Sequence, residues 1–425
     1  MAESPIRLTL HDDLVRSRLT VFFRLLLAIP HLVWISMWGT AAYLAVIVNW
    51  FATLFVAKSP DGLHRFLGAY LRYSIHVRAY LLLAANPYPA FLGQPGTYPV
   101  DLEIDPPERQ NRWKVGFRAI LLLPAFMLLA ILSSVGGFRM GLAPVSAFLG
   151  WFAALFTGRA PRGLRDAAVY SLRYSAEFGG YMFVLTDRYP GASPTDPPIP
   201  SVAQDHPIVL SVEDDLRRSR LLVFFRFALV VPHLVWLQLW SILALLAGVA
   251  NWFATLATGR SPAPLRRFLS AFLRYSIHVY AFFWLTANPF PGFVGKPGSY
   301  PVDVEIAPGE RQNRWRTGFR FLLALPALLV AGALNYLLTI AGLFGWFVAL
   351  FTGGMPKGLR DAGAYALRYT AQTYGYLYLL TDRYPHASPG LDAPPGPPAG
   401  LPPTPTAGVE PAPEGSPARS EPVPP

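Results

Sequence analysis

The sequence contains no cysteine. Disulfides, thiolate metal sites and cysteine nucleophiles are thereby excluded, although the compartment stays open. Charge is scarce as well. Asp, Glu, Lys and Arg make up 14% of the 425 residues, while 53% are hydrophobic and the mean hydropathy is +0.34. A soluble domain carries roughly 25% charged residues, so this chain is expected in lipid. The deficit is sharpest from Leu19 to Ala57, which holds no Asp, Glu or Lys and a single Arg; none of the four long apolar blocks holds Asp or Glu. Ion-coupled transporters commonly place a carboxylate at mid-membrane, so that mechanism lacks its usual instrument. The opening stretch, MAESPIRLTLHDDLVRSR, shows no short apolar segment followed by a small-residue cleavage site, and a removable signal peptide is not expected. HExxH, HxxEH, P-loop and nucleophile-elbow motifs are also missing. The net charge of +11 is dispersed beside apolar runs, which points to an anionic membrane surface and not to nucleic acid.

What the chain does have is repetition. RYSIHVRAYLLLAANPYP begins at Arg72, and related stretches begin at Arg173, Arg274 and Arg368. Each belongs to a unit that opens near Pro5, Pro99, Pro207 or Pro301 with a short alternating segment (PIRLTL, PVDLEI, PIVLSV, PVDVEI), predicting a strand of about five residues. An F-R arginine follows (Arg24, Arg118, Arg226, Arg320), then a proline six residues on (Pro30, Pro124, Pro232, Pro326). A tryptophan comes next (Trp50, Trp151, Trp252, Trp346), always 22 residues before the R-Y arginine. Units 1 and 3 share NWFATL and LRYSIHV, while units 2 and 4 share ERQNRW, GLRDA and LTDRYP. An ancestral doublet duplicated again accounts for this, with an offset of 202 residues between Arg24 and Arg226. The expected organisation is four membrane repeats at 1–98, 99–191, 207–298 and 299–388, a Pro-rich linker at 192–206, and a disordered Pro-rich tail at 389–425. Unit 2 carries seven extra residues around SSVGGFRMGLAP, expected at the tip of a helical hairpin.

At ~1.5 Å per residue, Leu19–Trp38 and Thr40–Ala57 each reach ~27–30 Å, close to a hydrocarbon core of ~30 Å. Each unit is therefore expected to form one transmembrane hairpin, giving eight spans. Arg24 can snorkel back toward the headgroups, and Pro30 predicts a kink. Cations flank every block, at Arg16, Arg18, Lys58 and Arg65 for the first, so the positive-inside rule predicts the plasma membrane with both termini cytoplasmic; Arg139 is the discordant charge. The R-Y stretch spreads His64, Arg65, Arg72, His76 and Arg78 through an apolar helix, and is expected to lie in the interface. A third span per unit is the rival reading and would make twelve crossings. The expected class is thus an α-helical integral membrane protein of four repeats, each a short strand, a hairpin and an interfacial amphipathic helix.

The expected lipid-headgroup contacts are the R-Y arginines Arg72, Arg173, Arg274 and Arg368 with the F-R arginines Arg24, Arg118, Arg226 and Arg320. GRAPRGLRD and GRSPAPLRR read either as plain positive-inside retention or as an anionic-lipid or phosphate site. His31, His233, His76 and His278 are candidate ligands or proton carriers, and are read as interfacial or helix-packing histidines. The two ERQNRW motifs, Glu108–Trp113 and Glu310–Trp315, read as helix starts with Trp113 and Trp315 as interfacial anchors.

FFRLLLAIPHLV, WFATLFVAKSPDGL, LRYSIHVRAYLLL and LTDRYP resemble the bacterial membrane family catalogued as domain of unknown function 4389, repeated over nearly all of residues 5–388. The resemblance implies a multi-pass bacterial membrane protein and brings no catalytic residues with it. Unit 3 departs by carrying Pro264 where the others have Gly62, Gly163 and Gly358. The expected function is a non-enzymatic membrane scaffold that binds anionic lipids or a membrane-protein partner, with no cofactor. The alternative is a transporter or channel with a path between the duplicated halves. A lipid-modifying enzyme acting through His76 and His278 would need a nucleophile or metal set that the sequence does not display.

Overall fold

A computed structural model describes residues 4–134, 141–195 and 206–390. Arg139, most of the linker and the Pro-rich tail beyond residue 390 lie outside the described residues.

The alternating openings form strands where expected. β1 (Ile6–Leu10) pairs antiparallel with β2 (Val100–Ile104), and β3 (Ile208–Val212) pairs with β4 (Val302–Ile306), with Leu8 facing Leu102 and Leu210 facing Val304. Each two-stranded ribbon therefore ties the first unit of a half to the second.

The apolar blocks differ from expectation. α1 (Arg18–Val56) and α7 (Arg220–Thr258) run 39 residues without interruption, and α10 (Arg320–Thr352) runs 33. The hairpin arms expected at 19–38 and 40–57 are one helix. The expected tip, SMWGTA, contains nothing that stops a helix: the Ser36 and Thr40 hydroxyls bond back to Leu32 O (3.0 Å) and Ser36 O (3.1 Å), so their polar groups are satisfied within the helix itself. Gly39 is there for another reason, since a Cβ would lie 2.8 Å from the Tyr70 hydroxyl. Each helix ends where the chain enters the left-handed region, at Ala57 (φ 60°), Gly259 (φ 73°) and Gly353 (φ 76°). Among the described residues three helices, α1, α7 and α10, are long and apolar enough to cross a membrane.

In unit 2 the corresponding rod is divided into α4 (Arg118–Ser133) and α5 (Leu142–Thr157), after the short α3 (Arg112–Gly116); α9 (Arg314–Gly318) is its counterpart in unit 4. α4 is capped at Ser134 and α5 is entered at Gly141, whose N–H returns to Ser134 Oγ at 2.8 Å. The hairpin tip expected in unit 2 falls outside the described residues. The rods of a half lie antiparallel: Arg16 N–H meets Gly158 O (2.9 Å) at one end of α1, and Gln110 N–H meets Ala57 O (2.8 Å) at the other. The unit tryptophans fasten these pairs reciprocally. Trp50 donates to Val115 O (2.7 Å) and Trp151 to Val21 O (2.9 Å), while Trp252 donates to Thr317 O (2.7 Å) and Trp346 to Val223 O (2.8 Å).

The four R-Y stretches are 21-residue helices: α2 (Asp61–Leu81), α6 (Arg162–Met182), α8 (Ala263–Phe283) and α11 (Lys357–Leu377). They were expected in the interface. Instead α6 and α11 lie at the centre, α6 against α2, α4 and α5, and α11 against α8 and α10. The halves meet here, with the Tyr170 and Tyr365 rings edge to face at 6.2 Å and Ser193 Oγ donating to Asp361 at 2.9 Å. This contact explains the odd Pro264. A Cβ on Gly163 would lie 2.9 Å from Ala387 N and one on Gly358 3.1 Å from Ser193 N, whereas Gly62 has nothing within 4 Å. Only α6 and α11 begin under the other half's tail, so the first turn of α8 can carry proline.

Candidate functional site

A helix leaves its last carbonyls without intrahelical donors, and the four 21-residue helices all need them inside the protein. The F-R arginines are those donors. Arg24 reaches Ala85 O (3.0 Å) and Tyr80 O at the end of α2. Arg118 reaches Tyr181 O and Thr186 O (3.1 Å) after α6, and Arg226 reaches Phe282 O and Ala287 O (3.1 Å) after α8. Arg320 binds Thr381 O (3.4 Å) and pairs with Asp382 at 3.1 Å. Each guanidinium also lies over a ring of the helix it closes, 4.0–4.4 Å from Tyr80, Tyr181, Phe282 or Tyr376. All four side chains are buried. The expected headgroup contacts at Arg24, Arg118, Arg226 and Arg320 are therefore replaced by contacts to backbone carbonyls.

The same holds for the R-Y set. Arg72 donates to Leu102 O (2.8 Å) and Arg274 to Val304 O (3.1 Å), joining α2 and α8 to their ribbons. Arg173 binds Ser193 O, and Arg368 binds Ser388 O and Gly390 O, in the segments that follow α6 and α11. Arg173, Arg274 and Arg368 are buried and Arg72 nearly so. Arg274 and Arg368 also border open grooves.

Beyond each 21-residue helix stands a bulky residue at positive φ: Leu83 (58°), Val184 (61°), Leu285 (58°) and Leu379 (60°). Such a conformation costs on the order of 1–3 kcal/mol and persists only where its surroundings hold it. Each is held by its carbonyl. Arg16 donates to Leu83 O (2.8 Å) and Arg218 to Leu285 O (2.9 Å), each arginine being fixed by a buried carboxylate at 2.8 Å, Asp12 or Asp214. Gln110 donates to Val184 O (2.8 Å) and Gln312 to Leu379 O. This is the work of the ERQNRW motif: its Gln clasps the strained carbonyl and accepts from Arg118 or Arg320, while Asn111 and Asn313 cap the short helices. Trp113 and Trp315 are left 76% and 79% exposed, free to meet a surrounding phase.

The four candidate histidines are packed in pairs of equivalents. His31 Nδ1 meets the Tyr73 hydroxyl (2.7 Å) and His233 Nδ1 that of Tyr275 (2.8 Å), their rings stacked on Phe91 and Phe293. His76 and His278 meet Asp101 (2.7 Å) and Asp303 (2.8 Å). Burial alone would raise these two carboxyls. The histidine hydrogen bonds and backbone N–H donors outweigh it and hold both below the usual carboxylate range. Among the described residues no three His, Asp or Glu gather in a way that could hold a metal ion.

Sequence reasoning missed Asp12, Asp101 and their equivalents Asp214 and Asp303, and read Arg16 and Arg218 as flanking cations and Gln110 and Gln312 as part of helix starts, not as clasps. The signal was available, because polar residues that recur at the 202-residue offset beside apolar blocks are structural candidates. Taken together, the fold is that of an internally duplicated, mainly helical protein with, among the described residues, three helices apolar enough to cross a membrane and its buried cations turned inward. The family model for the domain of unknown function DUF4389 matches residues 18–93, 112–193, 220–294 and 314–388, and the chain belongs to that family as four tandem copies. No curated protein and no solved structure matches the chain.

Proposed function

We propose that the chain is a non-enzymatic scaffold of the plasma membrane that acts by binding lipid headgroups or a membrane-protein partner. The surface of the long helices carries this reading. α1 and α7 each bury a narrow stripe against protein, while Leu19, Leu25, Tyr43 and Phe55 on α1 and Leu221 and Leu245 on α7 are at least 65% exposed. So much contiguous apolar surface is stable in lipid and a liability in water. Cations stand at both ends of each rod, Arg18 and Lys58 for α1, which supports a cytoplasmic position for both ends and both termini. An unbroken helix of 39 residues is ~58 Å long and would fit a ~30 Å core only at a tilt of about 60°, outside the usual range. We therefore read the rods as embedded along the cytoplasmic side of the bilayer; eight crossings would require each to fold at its midpoint.

Tyr170, Tyr365 and Ser193 are buried where the halves meet, Ser193 bonding Asp361, which favours a scaffold; a transport path would have to run through the groove of about 700 Å³ between the halves, lined by Phe152, Arg162, Pro326 and Tyr384. Alkaline carbonate washing tests the embedding: the chain stays with the membrane pellet and leaves only with detergent, and release by carbonate contradicts the reading. Solute flux in proteoliposomes that disappears on Pro124→Ala or Pro326→Ala contradicts the scaffold.

A further inference from the structure

Outside the arginine clasps, cations gather at the start of α8. A groove of about 600 Å³ is lined by Arg266, Arg267, Arg274 and Lys296, with no carboxylate in its wall. Arg274 is already engaged with Val304 O and Asp303. Arg266 gives one nitrogen to Ala307 O, but its Nε is buried without an acceptor. Arg267 and Lys296 are exposed and, among the described residues, have no acceptor.

The first half lacks this groove's charge. Asp61, His64 and Gln94 stand where the second half has Ala263, Arg266 and Lys296. With histidine neutral, the three replacements add three positive charges while the fold is kept. In the first half Asp61 faces Lys58 at 3.9 Å and the His64 ring meets Asp105 O at 3.0 Å, so its cations and polar groups are partly matched. The segment carrying Lys296 also exposes Phe293 (43%) and Val294 (68%), and Trp236 of the long apolar helix α7 donates to Phe293 O at 3.0 Å. A cationic groove is thus set beside apolar side chains that face the same phase as α7.

We propose that this groove, in the second half only, binds the phosphate of an anionic membrane lipid, Arg267 offering a planar fork, Lys296 a point charge and Arg266 its remaining guanidinium nitrogen. The proposal rests on the reading of the chain as membrane-embedded and gives its lipid binding an address. The apolar rim selects a lipid over free phosphate.

The test uses the full-length protein in nanodiscs that mix phosphatidylglycerol with phosphatidylcholine, and measures the lipids retained on purification. Wild type retains phosphatidylglycerol preferentially. Arg267→Gln with Lys296→Gln, both exposed and outside the fold's clasps, lowers that preference about fivefold per charge, and adding Arg266→Gln lowers it further. Arg65→Gln with Lys58→Gln in the first half removes as much charge and leaves the preference unchanged. Equal losses from the two pairs, or none from the second-half pair, overturn the proposal. So does competition by millimolar inorganic phosphate equal to that of the lipid. Failure here with the protein still in the carbonate-resistant membrane fraction removes the site and spares the scaffold; loss from that fraction removes the scaffold reading itself.

Discussion

Replacing Arg226 with methionine keeps most of the apolar stem and removes the guanidinium. Two buried carbonyls, Phe282 O and Ala287 O, lose a charged donor, and the Phe282 ring loses the cation 4.4 Å from its centre. A buried carbonyl left without a donor costs roughly 1–3 kcal/mol, and the cation–π contact adds about 1–2 kcal/mol when desolvated. Phe282 O keeps the Leu285 N–H at 3.2 Å, so one carbonyl is orphaned and the loss is roughly 2–5 kcal/mol, against which the desolvation of the removed charge returns a part. For a cooperative unit of one half, this lowers the melting temperature of the detergent-solubilised protein by roughly 10 °C. Lysine at the same position recovers only part, since an ammonium cannot fork between two carbonyls. The clasp is refuted if Arg226→Met melts within about 2 °C of wild type. If that variant instead loses anionic-lipid retention at unchanged stability, the guanidinium faces headgroups after all.

Asn251 on α7 donates to Tyr378 O (2.9 Å) and accepts from Ser261 Oγ (2.7 Å), tying the two units of the second half at a helix end; Asn251→Leu costs about 1–3 kcal/mol by chemical denaturation, whereas Leu243→Ala, on the exposed surface, changes stability by less than about 1 kcal/mol. His206 and His386 are pushed down to about 4, chiefly by burial and then, for His386, by the nearby Arg368. Their folded values lie below the unfolded ~6.5, so the unfolded chain binds more protons between those values, and stability falls as pH drops from ~6.5 to ~4. The joint variant His206→Gln, His386→Gln flattens the melting temperature across that window; an unchanged slope means these rings do not titrate on unfolding. Gly358→Leu drives a side chain into Ser193 N and Ala192 and loosens the contact between the halves, which limited proteolysis reads as faster cleavage.

The repeat pattern made the four units, the strands and the 21-residue helices legible, because spacing in the sequence is preserved as spacing in space. The unbroken course of α1 and α7 was not legible. Trp34, Ser36, Trp38 and Thr40 look like a polar break between two apolar arms, yet the two hydroxyls return to their own helix and the Trp38 ring packs 5.5 Å from that of Tyr73. Composition reports an interruption in hydropathy, whereas a helix ends only where the backbone is forced out of its conformation, as at Ala57 or Gly259. The arginines were misplaced for a related reason. A cation at the edge of an apolar run reads as a headgroup contact, but Arg24 and Arg226 meet carbonyls 56 residues further on, and a sequence gives no sign that a distant helix end needs a donor. The cationic groove was half visible in GRSPAPLRR; Lys296, 30 residues beyond Arg266, joins it only in the fold.

The absence of cysteine makes the central claim directly measurable, because any introduced thiol is the chain's only one. Met37 and Leu239 lie at the midpoints of α1 and α7 and are 63% and 55% exposed. In intact cells, Met37→Cys and Leu239→Cys variants are treated with a membrane-impermeant maleimide, beside Arg65→Cys and Arg267→Cys. Rods embedded along the cytoplasmic side leave all four unlabelled from outside, and opening the cells exposes Arg65→Cys and Arg267→Cys while the two midpoints stay shielded by lipid. Labelling of Met37→Cys and Leu239→Cys from outside would put the midpoints on the far side of the membrane, fold each long helix into a hairpin, and contradict the account.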